Sequence, residues 1–272
     1  MELNANRKEF ERLGLGVAAI SYDSVGVLHH FAERAGITIP LLSDADSSII
    51  KRAGLLNETV PRDTPFFGIP WPGVFVLDAN GRVKAKYFEE DFRQRYTSGD
   101  ILVHLFGWTP SAAVEDHSAK HLDVTSSASD GVVAPGQRIA LTLDITLGPS
   151  MHVYAPGAEG YIPIAWTLKP SPAFEAHEVE FPKPKIVELK AINEKMPVYE
   201  GDLRLTRDVT IADEDALAHA TGNSGTLTIE GSLKYQACDD RMCYIPDTVP
   251  LKWELRVANP DRTRVPAALQ RK

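Results

Sequence analysis

The chain has 272 residues, of which 43% are apolar, and this predicts a globular protein with room for two ordinary domains. Its formal net charge of -8 argues against nucleic acid as a partner, because binding to phosphates needs a basic surface. No apolar run is long enough to span a membrane. The sequence also lacks zinc-type clusters, glycine-rich phosphate loops and Gly-x-Ser-x-Gly elbows, so we expect neither a metal nor a cofactor.

Residues 1–108 alternate helical and strand-like patterns, which is typical of an α/β domain. The predicted helices cover residues 3–14, 24–36, 44–53 and 98–106, and the predicted strands cover residues 16–22, 37–42, 73–78 and 82–88. Asn80-Gly81 joins the last two strands and is a strong signal for a hairpin turn. The chain enters a charged helical pattern at once, without a signal peptide.

Residues 109–120 are interpreted as a linker, after which the hydrophobic period changes to two. The alternating segments are residues 138–146, 165–168, 203–211, 226–230 and 249–257. Short alternating strands separated by proline and glycine predict an antiparallel β-sandwich over residues 121–258. Residues 259–272 are interpreted as a polar tail.

Cys238 and Cys243 are the only cysteines of the chain, and four residues separate them. If they pair, the ring is very small, and it restrains the unfolded chain by only about 2 kcal/mol. A bond that stabilises so little can be broken at little cost to the fold, as a disulfide that is made and unmade requires. A fixed staple in an extracytoplasmic sandwich is the alternative, and two cysteines alone do not settle the compartment.

The second half of the chain resembles the N-terminal, immunoglobulin-like domain of the thiol:disulfide interchange protein DsbD. The resemblance lies in Tyr-Gln-Ala-Cys-Asp-Asp-Arg-Met-Cys-Tyr-Ile-Pro, residues 235–246, and in Thr-Val-Pro-Leu, residues 248–251. It implies a periplasmic or otherwise extracytoplasmic protein whose cysteines shuttle electrons between thioredoxin-like domains. It also implies that Cys243 forms the mixed disulfide with the partner and that Cys238 resolves it. The four-residue spacer is one residue shorter than in the best-known member.

The same resemblance places two further elements beside the cysteines. Residues 151–154 occupy the position of a strand with aromatic residues, so His152 and Tyr154 are predicted to line the site. Residues 197–201 resemble a cap loop, with Tyr199 as the ring that shields the disulfide. A surface position for His152, and ordinary core packing for both tyrosines, remain the alternatives.

The residues next to the cysteines affect both thiol acidity and access. Asp239 and Asp240 would raise the pKa of a neighbouring thiol, whereas Arg241 would lower it, so we expect thiols that are not strongly acidified. Tyr235 and Tyr244, together with Tyr199, are expected to limit the access of water and oxidants to the sulfurs.

The first half of the chain resembles the redoxin branch of the thioredoxin fold, the AhpC/TSA family. The resemblance lies in residues 17–23, 40–44 and 72–78, with Pro72 at the position where thioredoxin folds place a cis-proline. The family's first central strand and its reactive cysteine have no counterpart in residues 1–108. Either this part is an N-terminally shortened redoxin domain, which we favour, or it is a redox-inactive scaffold. Without a thiolate, it is not expected to act as a peroxidase.

The sequence therefore predicts an incomplete α/β thioredoxin-like domain followed by an all-β immunoglobulin-like sandwich. The predicted function is thiol–disulfide exchange, in which electrons pass from a thioredoxin-like donor through Cys238 and Cys243 to a downstream acceptor. The alternative is a non-enzymatic binding module in which the same disulfide only stiffens a hairpin.

Overall fold

The computed structural model describes residues 2–89, 91–189, 194–258, 261 and 263–269. The chain forms two compact units. The first holds the described residues of Met1–Ser98 and Pro260–Lys272, and the second holds those of Gly99–Asn259. Within the described part of the chain, none of the helices has the length and apolar character needed to cross a lipid bilayer.

The first unit combines short helices with two separate pairs of strands. Its helices are α1 (Glu2–Ala5), α2 (Arg7–Arg12), α3 (Val25–Ala35) and α4 (Ser48–Arg52), and its strands are β1 (Ala19–Ser21), β2 (Leu41–Ser43), β3 (Gly73–Leu77), β4 (Val83–Phe88) and β5 (Arg95–Tyr96). β1 and β2 pair in parallel, whereas β3 and β4 form the predicted antiparallel hairpin. The thioredoxin-like α/β class is thus present as two two-stranded pieces.

Helix α3 shows how local sequence signals set the ends of an element. The Ser24 side chain accepts a hydrogen bond from the Val27 backbone N–H, which caps the first turn. Gly36 ends the helix with φ +62°, a left-handed conformation that favours glycine. Pro72 differs from expectation, because no peptide bond in the described residues is cis.

The second unit is the predicted antiparallel sandwich. It begins with helix α5 (Ser98–Phe106), and its strands are β6 (Ala112–Ala119), β7 (Leu122–Ala128), β8 (Val132–Val133), β9 (Gln137–Leu147), β10 (His152–Tyr154), β11 (Ala165–Leu168), β12 (Phe174–Glu180), β13 (Lys185–Leu189), β14 (Glu194–Glu200), β15 (Asp202–Ile211), β16 (Thr226–Tyr235), β17 (Ala237–Cys238) and β18 (Asp247–Val257). Helix α6 (Glu214–Thr221) connects β15 to β16.

Three sheets make up this unit. One has the order β12-β15-β9-β7-β6, the second β11-β16-β18-β8, and the third, smaller sheet β13-β14-β10-β17. The core alternates along the strands as predicted: in β18, every second side chain from Val249 to Leu255 is buried. Trp253 lies in this core with its ring 5.8 Å from that of Trp166, and its indole N–H donates to the Ser127 carbonyl.

The structure differs from the predicted domain boundaries in three places. The proposed linker, residues 109–120, contains β6, whose partner is β7. Its alternation is weak because most of its side chains are at least partly exposed. The helix at residues 98–106 was assigned to the first domain, but Ile101, Leu102 and Val103 are buried and residues 99–106 belong to the second unit. The division therefore falls after Ser98 and not after residue 108.

The predicted polar tail is the third difference. Its described residues belong to the first unit, where Ala267–Leu269 form a 3-10 turn. Asp261 makes an ion pair with Arg34 at 2.6 Å, and the Leu269 side chain lies close to Gly26. The neighbouring residues in the sequence are mostly charged or polar, so no hydrophobic pattern indicates these contacts. Positions 259, 260, 262 and 270–272 lie outside the described residues.

Candidate functional site: a disulfide in a hairpin

The two cysteines form a disulfide, with an S–S distance of 2.07 Å and a Cα–Cα distance of 4.0 Å. Cys238 ends β17, and its backbone faces that of Cys243 across an antiparallel bridge. Two backbone hydrogen bonds hold the hairpin: Asp239 N–H donates to the Met242 carbonyl at 3.0 Å, and Tyr244 N–H donates to the Ala237 carbonyl at 2.9 Å. The hairpin therefore has its own hydrogen bonds in addition to the covalent link.

Asp239 organises the turn between the two cysteines. One of its carboxylate oxygens accepts hydrogen bonds from the backbone N–H groups of Arg241 and Met242, each at 2.8 Å. The other oxygen accepts the Tyr244 hydroxyl at 2.9 Å. These bonds, from Arg241 first, lower the pKa of Asp239. The carboxylate that the sequence suggested as a repulsive neighbour of the thiols thus serves as an acceptor for the turn.

The two sulfur-bearing residues differ in exposure. Cys238 is buried, with 1% of its surface exposed, whereas Cys243 is exposed. Two apolar side chains beside Cys243 are also exposed, Met242 by 57% and Ile245 by 89%. Arg241 is exposed on the same turn. A second protein can therefore approach Cys243, while Cys238 stays covered.

Tyr154 lies beside the exposed cysteine, as predicted. Its hydroxyl is 3.7 Å from the Cys243 Sγ, and its ring stacks on Tyr161 at 4.2 Å between centroids. Burial is the main reason that the pKa of Tyr154 is raised to about 12, so its hydroxyl stays protonated at neutral pH. Tyr161 was not predicted, because it lies in an irregular segment after Gly160, where neither strand nor helix periodicity indicates it.

His152 is also at the predicted position. In the small sheet its backbone pairs with that of Cys238 on one side and that of Glu200 on the other. Its ring contacts that of Tyr154 edge to face, with 5.5 Å between centroids. Burial lowers the pKa of His152, although Glu200 and Asp239 act in the opposite direction. The imidazole is therefore mostly neutral at pH 7.

Of three other predicted side chains, two lie in the main core and one stays beside the disulfide. Residues 197–200 form part of strand β14 and not a cap loop. Tyr199 is buried in the main core, and its hydroxyl donates to the Pro182 carbonyl at 3.0 Å. Tyr235 is likewise buried, and its hydroxyl donates to the Lys120 carbonyl. Tyr244 stays with the hairpin, where its ring packs 4.0 Å from that of His121.

The side chains that do cover Cys238 come from the alternate face of β14. Met196 and Val198 form a small buried cluster with Cys238 and Tyr154. Strand alternation explains this arrangement, since Val198 and Tyr199 must point to opposite faces of the sheet. Tyr199 was predicted as the shielding ring of a loop; because the segment is a strand, Val198 faces Cys238 and Tyr199 faces the main core.

Comparison with known proteins adds to this geometry. Residues 122–252 match the family described as thiol:disulfide interchange protein DsbD, N-terminal. Residues 1–86 match the AhpC/TSA family. Both resemblances predicted from the sequence are confirmed, and we refer to the second unit as the DsbD-type domain.

Individual relatives cover only parts of the chain. A stretch of 95 residues, 34% of the chain, is 30% identical to peroxiredoxin Bcp of Escherichia coli K12 and to the putative peroxiredoxin bcp of Shigella flexneri. The chain spans 56% of the length of these relatives. A solved structure, the N-terminal periplasmic domain of ScsB from Proteus mirabilis, is 16% identical with a TM-score of 0.35, over 54% of this chain and 52% of that one.

A buried charge network in the DsbD-type domain was not predicted. His104 Nε2 lies 2.8 Å from one carboxylate oxygen of Asp208, and the Arg138 Nε donates to the other at 2.9 Å. Asp100, which is fully buried, completes the group, and Glu180 lies 3.4 Å from His104. These residues come from α5, β9, β12 and β15, so only the folded chain brings them together.

The pKa values of two residues in this network, His104 and Asp100, differ from their ordinary values. The hydrogen bond to Asp208 raises the pKa of His104 to about 9, and burial raises the pKa of Asp100 to about 8. One ligand atom each from Asp100, His104 and Asp208 lies within 4.8 Å of the others, a spacing that metal sites also show. The Arg138 guanidinium and the imidazolium already neutralise Asp208, and we therefore interpret the group as an internal ion-pair network.

Proposed function

We propose that the DsbD-type domain carries out thiol–disulfide exchange through Cys238 and Cys243, as a relay between thioredoxin-like proteins. The observation that carries this proposal is the unequal exposure of the two cysteines. Exchange begins when a thiolate attacks one sulfur in line with the disulfide, so the attacked sulfur must be accessible. Cys243 is exposed and Cys238 is buried, which favours attack at Cys243.

The proposed reaction transfers two electrons. A thiolate of the donor attacks the Cys243 Sγ, the Cys238–Cys243 bond breaks, and the Cys238 sulfur leaves with the bonding pair. The donor's second thiolate then attacks its own sulfur in the mixed disulfide and releases Cys243 as a thiolate. The donor is now oxidised to a disulfide and the domain reduced to a dithiol. The reduced domain then becomes the donor. Its Cys243 thiolate attacks an acceptor disulfide, and Cys238 resolves the mixed disulfide that forms.

The surroundings of the disulfide suit a partner that is itself a protein. Met242 and Ile245 offer exposed apolar surface on the same turn as Cys243. Apolar side chains around an accessible reactive group are a common basis for transient docking. We therefore propose that donor and acceptor are thioredoxin-like domains, which present a reactive cysteine in a shallow apolar surface.

The first test compares two single-cysteine variants that form a matched pair. A thioredoxin-like protein with one thiol is loaded as its thionitrobenzoate disulfide, and the release of the coloured thiol is followed on mixing. We expect Cys238→Ser, which retains the exposed Cys243, to react at least about tenfold faster than Cys243→Ser, which retains the buried Cys238. Equal rates, or a faster Cys243→Ser, would contradict the proposed order of attack.

A redox titration distinguishes the relay from the structural alternative. Structural disulfides have potentials below about -300 mV, whereas a relay pair must lie well above this value to exchange with its partners. The oxidised fraction of the pair is measured by alkylation and mass spectrometry in glutathione or dithiothreitol buffers. A value at or below about -300 mV would support a binding module in which the disulfide only stiffens the hairpin.

We propose no reaction for the residues that match the AhpC/TSA family. Residues 1–86 contain no cysteine, so we assign no peroxidase chemistry to this segment. We propose an extracytoplasmic location, and the match of residues 122–252 to the DsbD N-terminal family supports it. Alkylation of intact cells with a membrane-impermeant maleimide tests the location, and failure to label Cys243 after mild reduction would contradict it.

A further inference from the structure

His152 occupies a position beside the disulfide that the proposed exchange does not yet use. Four residues form one row across the small sheet: Cys243, Cys238, His152 and Glu200 are successive partners in register. Directly opposed residues in antiparallel strands point to the same face, with Cβ atoms about 4.5–5.5 Å apart. The imidazole is therefore the side-chain neighbour of the Cys238 sulfur on the side away from Cys243.

The buried thiol of Cys238 is poorly suited to lose its proton unless a base lies next to it. Its residue is 1% exposed, and burial among apolar side chains raises the pKa of a thiol. The small cluster around it contributes Val198, Met196 and the Tyr154 ring, which offer no base. When the reduced domain passes electrons on, this thiol must nevertheless become a nucleophile, because only the thiolate attacks a disulfide.

We propose that His152 is the general base that deprotonates Cys238 in the resolving step of exchange. This inference rests on the proposed function and assigns a residue to its proton transfer. In this step the Cys238 proton passes to the imidazole while the Cys238 sulfur attacks the Cys243 Sγ. The bond between Cys243 and the partner breaks, and the partner leaves as a thiolate. The products are the Cys238–Cys243 disulfide and an imidazolium, so protons and electrons balance.

The electrostatic environment of His152 fits this role. Burial keeps the imidazole neutral, and thus able to accept a proton, at neutral pH. Two carboxylates then favour the imidazolium once it forms: Glu200 on β14, which also pairs with Lys185 at 2.9 Å, and Asp239 on the hairpin. On its own strand, the neighbour is Tyr154, whose hydroxyl stays protonated. In the opposite direction, when a donor attacks Cys243, only the protonated fraction of His152 can give a proton to the departing Cys238 thiolate.

The test follows the resolving step directly. The full chain is reduced, mixed with oxidised glutathione, quenched with acid at successive times, and analysed by mass spectrometry for the mixed disulfide on Cys243 and its decay. The rate of decay is measured between about pH 5 and pH 9 for the wild type, His152→Gln and His152→Phe. His219→Gln on the exposed face of α6 is the matched histidine control.

We expect the wild-type rate to rise with pH and level off once His152 is neutral. His152→Gln should be at least about tenfold slower at pH 7, with a rate that keeps rising about tenfold per pH unit as hydroxide replaces the base. His152→Phe retains the ring contact with Tyr154 but has no proton acceptor, so it should behave like His152→Gln. His219→Gln should match the wild type.

The outcomes separate this inference from the function on which it rests. If the wild type forms and resolves the mixed disulfide but His152→Gln has the same rate and pH profile, the role of His152 is overturned and the exchange function stands. If His152→Phe restores the wild-type profile, the ring acts by packing and the inference also fails. If no mixed disulfide forms on Cys243 in the wild type, the exchange function itself fails.

Discussion

Replacement of His104 by glutamine is expected to remove a pH-dependent part of the stability of the DsbD-type domain. His104 lies 2.8 Å from Asp208, and this bond raises the pKa of the imidazole from 6.5 to about 9. A shift of two to three pKa units, at about 1.4 kcal/mol per unit, corresponds to roughly 3 kcal/mol. Burial acts to raise the pKa of Asp208, but hydrogen bonds from His104 and Arg138 lower it; the His104 part is the same contact and is not counted again.

The sign follows from linkage. A group whose pKa is higher in the folded state stabilises the fold fully below its unfolded pKa, and this contribution is lost as the pH rises through the folded pKa. The free energy of unfolding of His104→Gln should therefore lie about 3 kcal/mol below that of the wild type at pH 6 and below. The difference should shrink between about pH 6.5 and pH 9 and be small at pH 10.

Asp100 acts in part of the same pH range and provides the control. Its pKa is raised to about 8, so folding requires proton uptake, and wild-type stability should fall as the pH rises from about 4 to 8. Asp100→Asn mimics the protonated form and should remove this decline. It should leave the decline due to His104, between about pH 6.5 and pH 9, in place.

The assay is urea unfolding at a series of pH values, followed by tryptophan fluorescence without reductant. All variants carry Trp71→Phe, because Trp71 lies in the first unit and the other three tryptophans, Trp108, Trp166 and Trp253, lie in the second. A constant m-value would confirm that the same transition is compared. A stability difference of equal size at pH 6 and pH 10, or none at either, would refute the assignment of the raised pKa to this ion pair.

Three further substitutions test single contacts. Gly231→Ala should lower the free energy of unfolding by about 1–3 kcal/mol, because the added Cβ would lie 2.5 Å from the Thr167 carbonyl oxygen. Gly131→Ala lies in the same domain, and its added Cβ would meet only the Ala112 Cβ at 3.3 Å, so it is the control expected to cost less in the same urea assay. Asp239→Ala removes three hydrogen bonds of the turn, so the hairpin should hold the two cysteines together less well. A tenfold weaker tendency to form the disulfide would raise its reduction potential by about 30 mV. An unchanged potential in the glutathione titration would contradict this. Tyr154→Phe removes the hydroxyl 3.7 Å from the Cys243 Sγ and should raise the pKa of the Cys243 thiol in the reduced protein. This pKa is measured from the pH dependence of alkylation by iodoacetamide. A pKa equal to that of the wild type would show that the hydroxyl does not stabilise the thiolate.

Strong local signals predicted most of the fold. The cap and end of α3, the hairpin between β3 and β4, and the alternation of β18 were all visible in the sequence, because each depends on residues close together in the chain. Strand β6 was missed because an edge strand with partly exposed side chains shows little alternation. Helix α5 was recognised as a helix, but sequence periodicity does not reveal which core a helix packs against.

The same distinction between local signals and long-range contacts applies to the functional site. The cysteine pair and Tyr154 were predicted because they lie on short recognisable motifs. Tyr199 was placed wrongly, since residues 197–200 belong to a strand and not to a loop, and Tyr199 lies on the face of that strand that packs in the main core. The charge network of His104 and Asp208 depends on contacts between residues 104 positions apart, and no single-sequence pattern reports such a contact.

The position of the disulfide predicts that it can be reduced without unfolding the domain. The main core, which includes Trp166 and Trp253, does not contain either cysteine; Cys238 belongs instead to a small separate cluster with Tyr154 and Val198. Because the ring that the disulfide closes is short, its loss releases little chain entropy in the unfolded state. The backbone hydrogen bonds of the hairpin are separate from the S–S bond, so we expect the sheets to stay folded when the disulfide is reduced.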